Sequence, residues 1–135
     1  MPRHILIADD QDDARQALVA LLQGMLDAQI EVARDGAEAL QQLMAQPFDL
    51  SLLDVHMPGL TGLEVLGQLR QSGSQVPSIL MTGHPSREIE MAAMDLGVVT
   101  MLRKPIPAEI LRITVQQILS PRPNGPTATD PGQPW

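Results

Sequence analysis

The chain has 135 residues, 9 of them basic and 16 acidic, for a formal net charge of −7. That length fits one ordinary domain, and 44% hydrophobic with 19% charged residues suits a chain that buries a core. The acidic balance excludes a basic nucleic-acid footprint over the whole chain, the absence of cysteine excludes disulfides and thiolate chemistry, and no apolar run nears the roughly 20 residues of a membrane helix. Met1-Pro2-Arg3-His4 leads straight into a short apolar segment, which is unlike a signal peptide and sets a cytoplasmic location as the expectation. Phe48 and Trp135 are the only Phe, Tyr or Trp side chains.

Short apolar runs alternate with amphipathic stretches. Residues 4–8 predict a buried strand followed by an acidic turn. From Asp12, residues Ala14, Ala17, Leu18, Leu21, Leu22, Met25 and Leu26 recur at helical spacing. Residues 30–33 predict a second strand, and Asp35 to Glu38 has capping-box spacing ahead of Leu40, Leu43 and Met44. A third strand covers 50–53 and ends at Asp54. Thr61 to Glu64 is a second capping box, before Leu63, Leu66 and Leu69. Residues 78–81, closed by Thr82-Gly83, predict a fourth strand. Ile89, Ala92, Ala93 and Leu96 predict a helix stopping at Gly97. Residues 98–102 give the fifth strand, and Pro107 opens a last helix reaching about Leu119.

Five strand-then-helix units predict an α/β, doubly wound (βα)5 domain with a parallel five-stranded sheet. Right-handed crossovers leave the flavodoxin-like order 2-1-3-4-5 as the best-fitting winding. The domain spans 1–119. Residues 120–135, with five prolines and two glycines, form a Pro-rich segment expected to be a flexible tail or truncated linker.

A parallel sheet opens all its strand C-termini on one edge, and a ligand crevice forms where the winding reverses. Asp9 and Asp10 follow the first strand, Asp54 the third, Thr82 the fourth and Lys104 the fifth. The order 2-1-3-4-5 gathers these five polar groups into one pocket. Three carboxylates held together repel one another. A hard divalent cation relieves this, and Mg²⁺ suits a site with few carboxylates and retained water. Lys104 is the only lysine in the chain, a compact point charge fit for a phosphoryl or carboxylate contact. Metal, ammonium, hydroxyl and carboxylate together match phosphoryl chemistry.

The strings Ile5-Leu6-Ile7-Ala8-Asp9-Asp10, Leu52-Leu53-Asp54-Val55-His56-Met57-Pro58-Gly59, Met81-Thr82-Gly83 and Arg103-Lys104-Pro105 resemble the receiver (CheY-like) domain of two-component response regulators. The resemblance runs in register from residue 4 to about 119. Ser78 to His84, and Ala93-Met94 before Gly97, are similar to the nitrogen-fixation (FixJ-type) subgroup. The resemblance implies that Asp54 accepts a phosphoryl group from a sensor histidine kinase or phosphotransfer protein. It implies Mg²⁺ bound by Asp10, Asp54 and the backbone carbonyl of His56, with Asp9 acting mostly through water. Thr82 would hydrogen-bond the phosphoryl group, and Lys104 would pair with Asp54 at rest and with the phosphoryl afterwards. The Lys104-Pro105 peptide is a cis candidate. The acyl phosphate would hydrolyse slowly, making the domain a switch and not a turnover enzyme. A homodimer through the face of the fourth helix, fifth strand and fifth helix is a further expectation, with no direct nucleic-acid or membrane contact by this chain. At the position where the family carries an aromatic switch residue, this chain has Met101.

Each signal has a plainer reading. Asp9 and Asp10 suit the positive end of the helix that follows, as do Asp12 and Asp13. A threonine before glycine ends many strands, and Lys104-Pro105 fits an ordinary loop. Asp54, a carboxylate closing an apolar strand, resists such a reading because it needs a partner. His56 and His84, each two positions past a site residue, belong at the pocket rim, where the functional reading is tuning of dephosphorylation or metal access and the plainer one is that exposed loop histidines do neither; His4 only starts a strand. Met91, Met94 and Met101 read as core or as a soft binding stripe. Two other functions compete. A haloacid-dehalogenase-like phosphohydrolase uses the same residue types, but places its nucleophile after the first strand. A degenerate receiver would act as a constitutive docking module. Sixteen residues after the last helix are too few for an effector, so the chain reads as a stand-alone receiver or as a receiver with its linker begun.

Overall fold

Strand and helix alternate five times through residues 2–120, which are the residues described by the computed structural model. They are β1 (Arg3–Ala8), α1 (Asp12–Met25), β2 (Ala28–Ala33), α2 (Gly36–Ala45), β3 (Leu50–Asp54), α3 (Gly62–Gln71), β4 (Ser78–Thr82), α4 (Arg87–Asp95), β5 (Thr100–Arg103) and α5 (Ala108–Leu119). The strands form one sheet in the order β2-β1-β3-β4-β5, every pair parallel. This is the doubly wound, flavodoxin-like α/β architecture expected from the strand–helix rhythm. The Pro-rich segment, Trp135 included, lies outside the described residues apart from Ser120. Among the described residues, no helix is long and apolar enough to cross a membrane.

Strand periodicity divides the core in two. Side chains alternate across a strand, so Leu6, Ala8, Leu53 and Leu80 face one layer, packed with Leu43, Val65, Leu66, Leu69 and Ala93 of α2, α3 and α4. Ile5, Ile7, Leu50, Leu52, Ile79 and Met81 face the other, with Leu22 of α1 and Leu111 and Val115 of α5. β3 and β4 are buried along their whole length, as central parallel strands must be. Ser51 and Ser78, opposite each other in the register, satisfy this burial by sharing a hydrogen bond of 2.7 Å.

The caps follow the sequence signals. Thr61 and Glu64 make both bonds of a capping box. Asp35 accepts from the Glu38 amide at 2.8 Å, while Glu38 reaches one residue further back, to the Arg34 amide at 2.7 Å. Ser86, unremarked in the sequence, caps α4 by accepting from Ile89 N at 3.1 Å. β2 starts two residues earlier than expected, at Ala28. β5 starts two residues later, because the amide of Val98 closes the end of α4 on Ala93 O after Gly97 turns through φ 69°. Pro107 caps α5 from outside, its extended ψ of 136° keeping it off the helix.

His4 does more than begin a strand. Its ring stacks on Phe48 at 4.1 Å, Nε2 meets Glu31 at 2.7 Å and Nδ1 meets Pro47 O at 2.9 Å, tying β1 to β2 and to the turn before β3. The methionine stripe also divides: Met101 packs half-buried against the α2/α3/α4 core, while Met91 and Met94 of α4 stand exposed.

Candidate functional site

At the C-terminal edge of the sheet the register aligns Ala8 with Leu53, Asp54 with Met81 and Thr82 with Arg103. Asp9 therefore emerges beside Asp54, Thr82 ends the next strand, and Lys104 follows the strand beyond. The Lys104 ammonium crosses this edge and donates to Asp9 Oδ2 at 2.8 Å and to Asp54 Oδ2 at 2.9 Å. Asp9 and Thr82 are fully buried and Asp54 is 5% exposed, whereas Asp10 lies exposed at the mouth. One carboxylate oxygen from each of Asp9, Asp10 and Asp54 falls within a group no wider than 4.8 Å.

The site's charge balance is unfinished. Three carboxylates face one ammonium, and Asp10 makes no ion pair among the described residues. Burial raises the pKa of Asp54 above its ordinary value and the neighbouring Asp9 charge adds to this, more than the bonds from Lys104 and the His56 amide offset. Burial lowers the pKa of Lys104, but its two carboxylate partners outweigh that and hold it above the ordinary lysine value. Clustered hard oxygen donors with a negative surplus fit a small divalent cation such as Mg²⁺.

Local structure holds these groups in place. The Gln11 amide donates to Asp9 Oδ1 at 2.9 Å, and Asp9 N bonds Ala33 O at 3.1 Å. The His56 amide donates to Asp54 Oδ1 at 3.2 Å, and Val55 N continues the ladder to Met81 O at 2.8 Å. Gly62 opens α3 so close to β3 that a Cβ there would lie 2.5 Å from Asp54 O. Lys104 N bonds Thr82 O at 2.8 Å, and the Lys104-Pro105 peptide is cis. The Thr82 hydroxyl accepts from the His84 amide at 3.0 Å. His56 and His84 sit at the rim with ring centres 6.0 Å apart and planes at 69°. A cavity of about 520 Å³ opens beside Asp9 and Lys104, between Ala17, Leu18 and Leu21 of α1 and Ala108 and Leu111 of α5.

The structure thus brings Asp9, Asp10, Asp54 and Lys104 together, with Thr82 on the adjoining strand and Met101 one strand further out, facing the α4 side of the sheet. Sequence reasoning paired Lys104 with Asp54 alone, whereas the ammonium is shared with Asp9. It also passed over Arg15, whose buried guanidinium donates to Asp9 O at 2.9 Å and pairs with Asp12, bracing the acidic loop. The signal existed: position 15 falls on the helical stripe of Leu18 and Leu22, where an arginine is out of place unless it has partners.

A family model for the response regulator receiver domain matches residues 5–116. The response regulator MprA of Mycolicibacterium vanbaalenii is 36% identical over 119 residues, covering 88% of this chain and 51% of that protein. The uncharacterized transcriptional regulatory protein YkoG of Bacillus subtilis is 34% identical over 129 residues, covering 96% of this chain and 55% of its own length. The chain spans about half the length of these curated relatives. Among solved structures, the Vibrio cholerae chemotaxis protein CheY4 superposes with a TM-score of 0.80 at 30% identity, covering 88% of this chain and all of that one. A CheY-like receiver domain protein from Methanospirillum hungatei shares the fold with a TM-score of 0.82, over 87% of this chain and 93% of its own, at 23% identity.

Proposed function

Since the chain belongs to the response regulator receiver domain family of two-component systems, we propose that it is a phosphorylation switch whose acceptor is Asp54. The receiver unit is residues 1–119. A carboxylate oxygen of Asp54 attacks phosphorus of a phosphohistidine on a sensor kinase or phosphotransfer protein. The phosphorus–nitrogen bond breaks, the imidazole leaves with a proton from solvent, and an acyl phosphate remains. Water attack in line at phosphorus later returns the Asp54 carboxylate and inorganic phosphate. The observation that carries this reading is the single ammonium of Lys104 bridging Asp9 and Asp54 in one buried hollow beside Asp10.

Asp10, Asp54 and the His56 carbonyl would hold Mg²⁺, with Asp9 acting through water. The ion supplies charge neutralisation for the phosphoryl oxygens when bound. Lys104 adds a second positive charge already aimed at Asp54, and the buried walls strengthen it. After transfer the acceptor carries more charge and more acceptor oxygens than a carboxylate. Thr82, whose hydroxyl already sits at the end of β4, turns towards them, and the loop to α4 moves with it.

Met101 supports a differently routed response. A thioether adapts to irregular space but offers neither a ring nor a hydroxyl, so coupling to the α4–β5 face is weaker than with an aromatic residue there. Met101→Tyr is expected to enlarge the gain in partner binding on phosphorylation; equal gains for both proteins count against it. The FixJ-type subgroup rests on Ser78 to His84 and Ala93-Met94, beside relatives that are MprA and other regulators. A cytoplasmic location and control of a partner or effector belong to the same reading, as does the absence of turnover.

Incubation with acetyl phosphate and Mg²⁺ followed by intact-mass measurement tests the acceptor. One phosphate adduct per chain is expected, absent from Asp54→Asn. An adduct that persists in Asp54→Asn moves the acceptor to another residue and overturns this assignment, and steady hydrolysis of a generic phosphomonoester by that variant gives the function to a phosphohydrolase instead. No adduct in the wild type favours a constitutive docking module.

A further inference from the structure

Three histidines are present, and no cysteine competes with them for a borderline metal ion. His4 is engaged with Phe48, Glu31 and Pro47 at the opposite end of β1. The other two lie side by side, edge to face. His56 stands two residues past the end of β3 and His84 two residues past the end of β4, on loops from adjacent strands, both exposed. Neither position is loose in its backbone, because each amide is held by the side chain two residues earlier, Asp54 for His56 and Thr82 for His84. Neither imidazole forms a side-chain hydrogen bond among the described residues, in contrast to His4.

The ring centres are 6.0 Å apart with planes at 69°. Zinc–imidazole bonds of about 2.0–2.1 Å bring two ligating rings to roughly 5–6 Å, centre to centre. Both side chains are exposed, so their χ angles are free to turn one nitrogen of each ring towards a shared ion. Imidazole pairs favour Zn²⁺, Ni²⁺ and Cu²⁺ over the hard ions that carboxylates select. We propose that the side chains of His56 and His84 form a two-histidine clasp for a borderline divalent metal ion, Zn²⁺ foremost, at the rim of the carboxylate hollow, in which only the backbone of His56 takes part. Water completes the coordination, which makes this an open and exchangeable site. An ion held there straps the loop after β3 to the loop after β4, joining the segments that carry Asp54 and Thr82.

The test is a zinc titration of the full chain by calorimetry in excess Mg²⁺, so that the carboxylates are already engaged. One equivalent of Zn²⁺ is expected to bind. His56→Gln and His84→Gln should each weaken it at least tenfold, whereas His4→Gln leaves it within about twofold. Both rim histidines are exposed, so neither substitution threatens the fold. Hydrogen exchange supplies the second reading: zinc should slow amides in both loops of the wild type and not of His84→Gln. Zinc that binds the histidine variants as tightly as the wild type, or that is lost only with Asp10→Asn, assigns the ion to the carboxylates and overturns the clasp. Failure of the wild type to bind zinc overturns it too.

Discussion

Asp9 and Asp54 share one cation, so the two carboxylates are not equivalent to two salt bridges. Removing one negative charge leaves a matched pair, whereas removing the ammonium leaves two buried anions unpaired. Asp54→Asn is therefore expected to stabilise the Mg²⁺-free protein by about 1 kcal/mol, several degrees in Tm. Lys104→Met should cost about 3 kcal/mol, partly restored by Mg²⁺. Thermal unfolding in chelator and in Mg²⁺ checks both. The pH dependence has a definite sign. The pKa of Asp54 is raised in the fold, so its contribution to stability is complete below the ordinary carboxylate value near 4 and lost as pH climbs through the folded value. Lys104, also raised, keeps its contribution until alkaline pH, above about 10.4. The advantage of Asp54→Asn over wild type should thus shrink as pH falls from 7 towards 4; a constant gap would mean that the Asp54 charge is not its source. The residue types of this site were legible because each follows a strand in the sequence. The sharing of Lys104 and the bracing by Arg15 were not, since both depend on side-chain reach across the fold.

At the scale of elements, the approach of α3 to β3 decides where Asp54 points. Gly62 at the first turn of α3 leaves no room for a Cβ, which would meet Asp54 O at 2.5 Å and Leu80 Cδ2 at 3.3 Å. Gly67, in the same helix, meets nothing within 4 Å. The two glycines should respond oppositely to alanine. Gly62→Ala is expected to lose about 1–3 kcal/mol by forcing the helix off the strand and to weaken Mg²⁺ binding. Gly67→Ala should gain about 0.5–1 kcal/mol by removing the cost of a helical glycine. Denaturant unfolding of both variants, with Mg²⁺ titration, separates space from propensity; loss of stability in both would refute the steric account. Strand and helix identity were readable throughout because buried runs and helical spacing differ in period. Boundaries slipped where a hydrogen bond outside the pattern takes over, as at Val98, whose amide serves α4 and not β5. Ser86 shows the converse: a capping residue ahead of Glu88 and Glu90 stood in plain view.

On the whole molecule, exposed apolar side chains are unevenly placed. Of the seven large ones among the described residues, Met91 and Met94 lie on α4, Val99 precedes β5, and Ile110 and Ile113 lie on α5; only Val32 and Met44 are elsewhere. β5 is also an edge of the sheet. Apolar groups concentrated along one edge mark an interaction surface, and flexible methionines suit a partner that changes. A net charge of −7 opposes self-association of the resting chain; under the proposed switch, a dimer across this face would form once phosphorylation of Asp54 shifts α4 and reshapes the surface. Sedimentation velocity over a concentration series checks this. Acetyl phosphate with Mg²⁺ should shift the wild type towards dimer, more strongly as salt screens the charge. Met94→Glu, at a side chain 77% exposed near the C-terminal end of α4, should take up phosphate normally and remain monomeric. A dimer that forms equally well in Met94→Glu would move the interface to another surface, and a wild type that stays monomeric when phosphorylated would leave this face to a different protein.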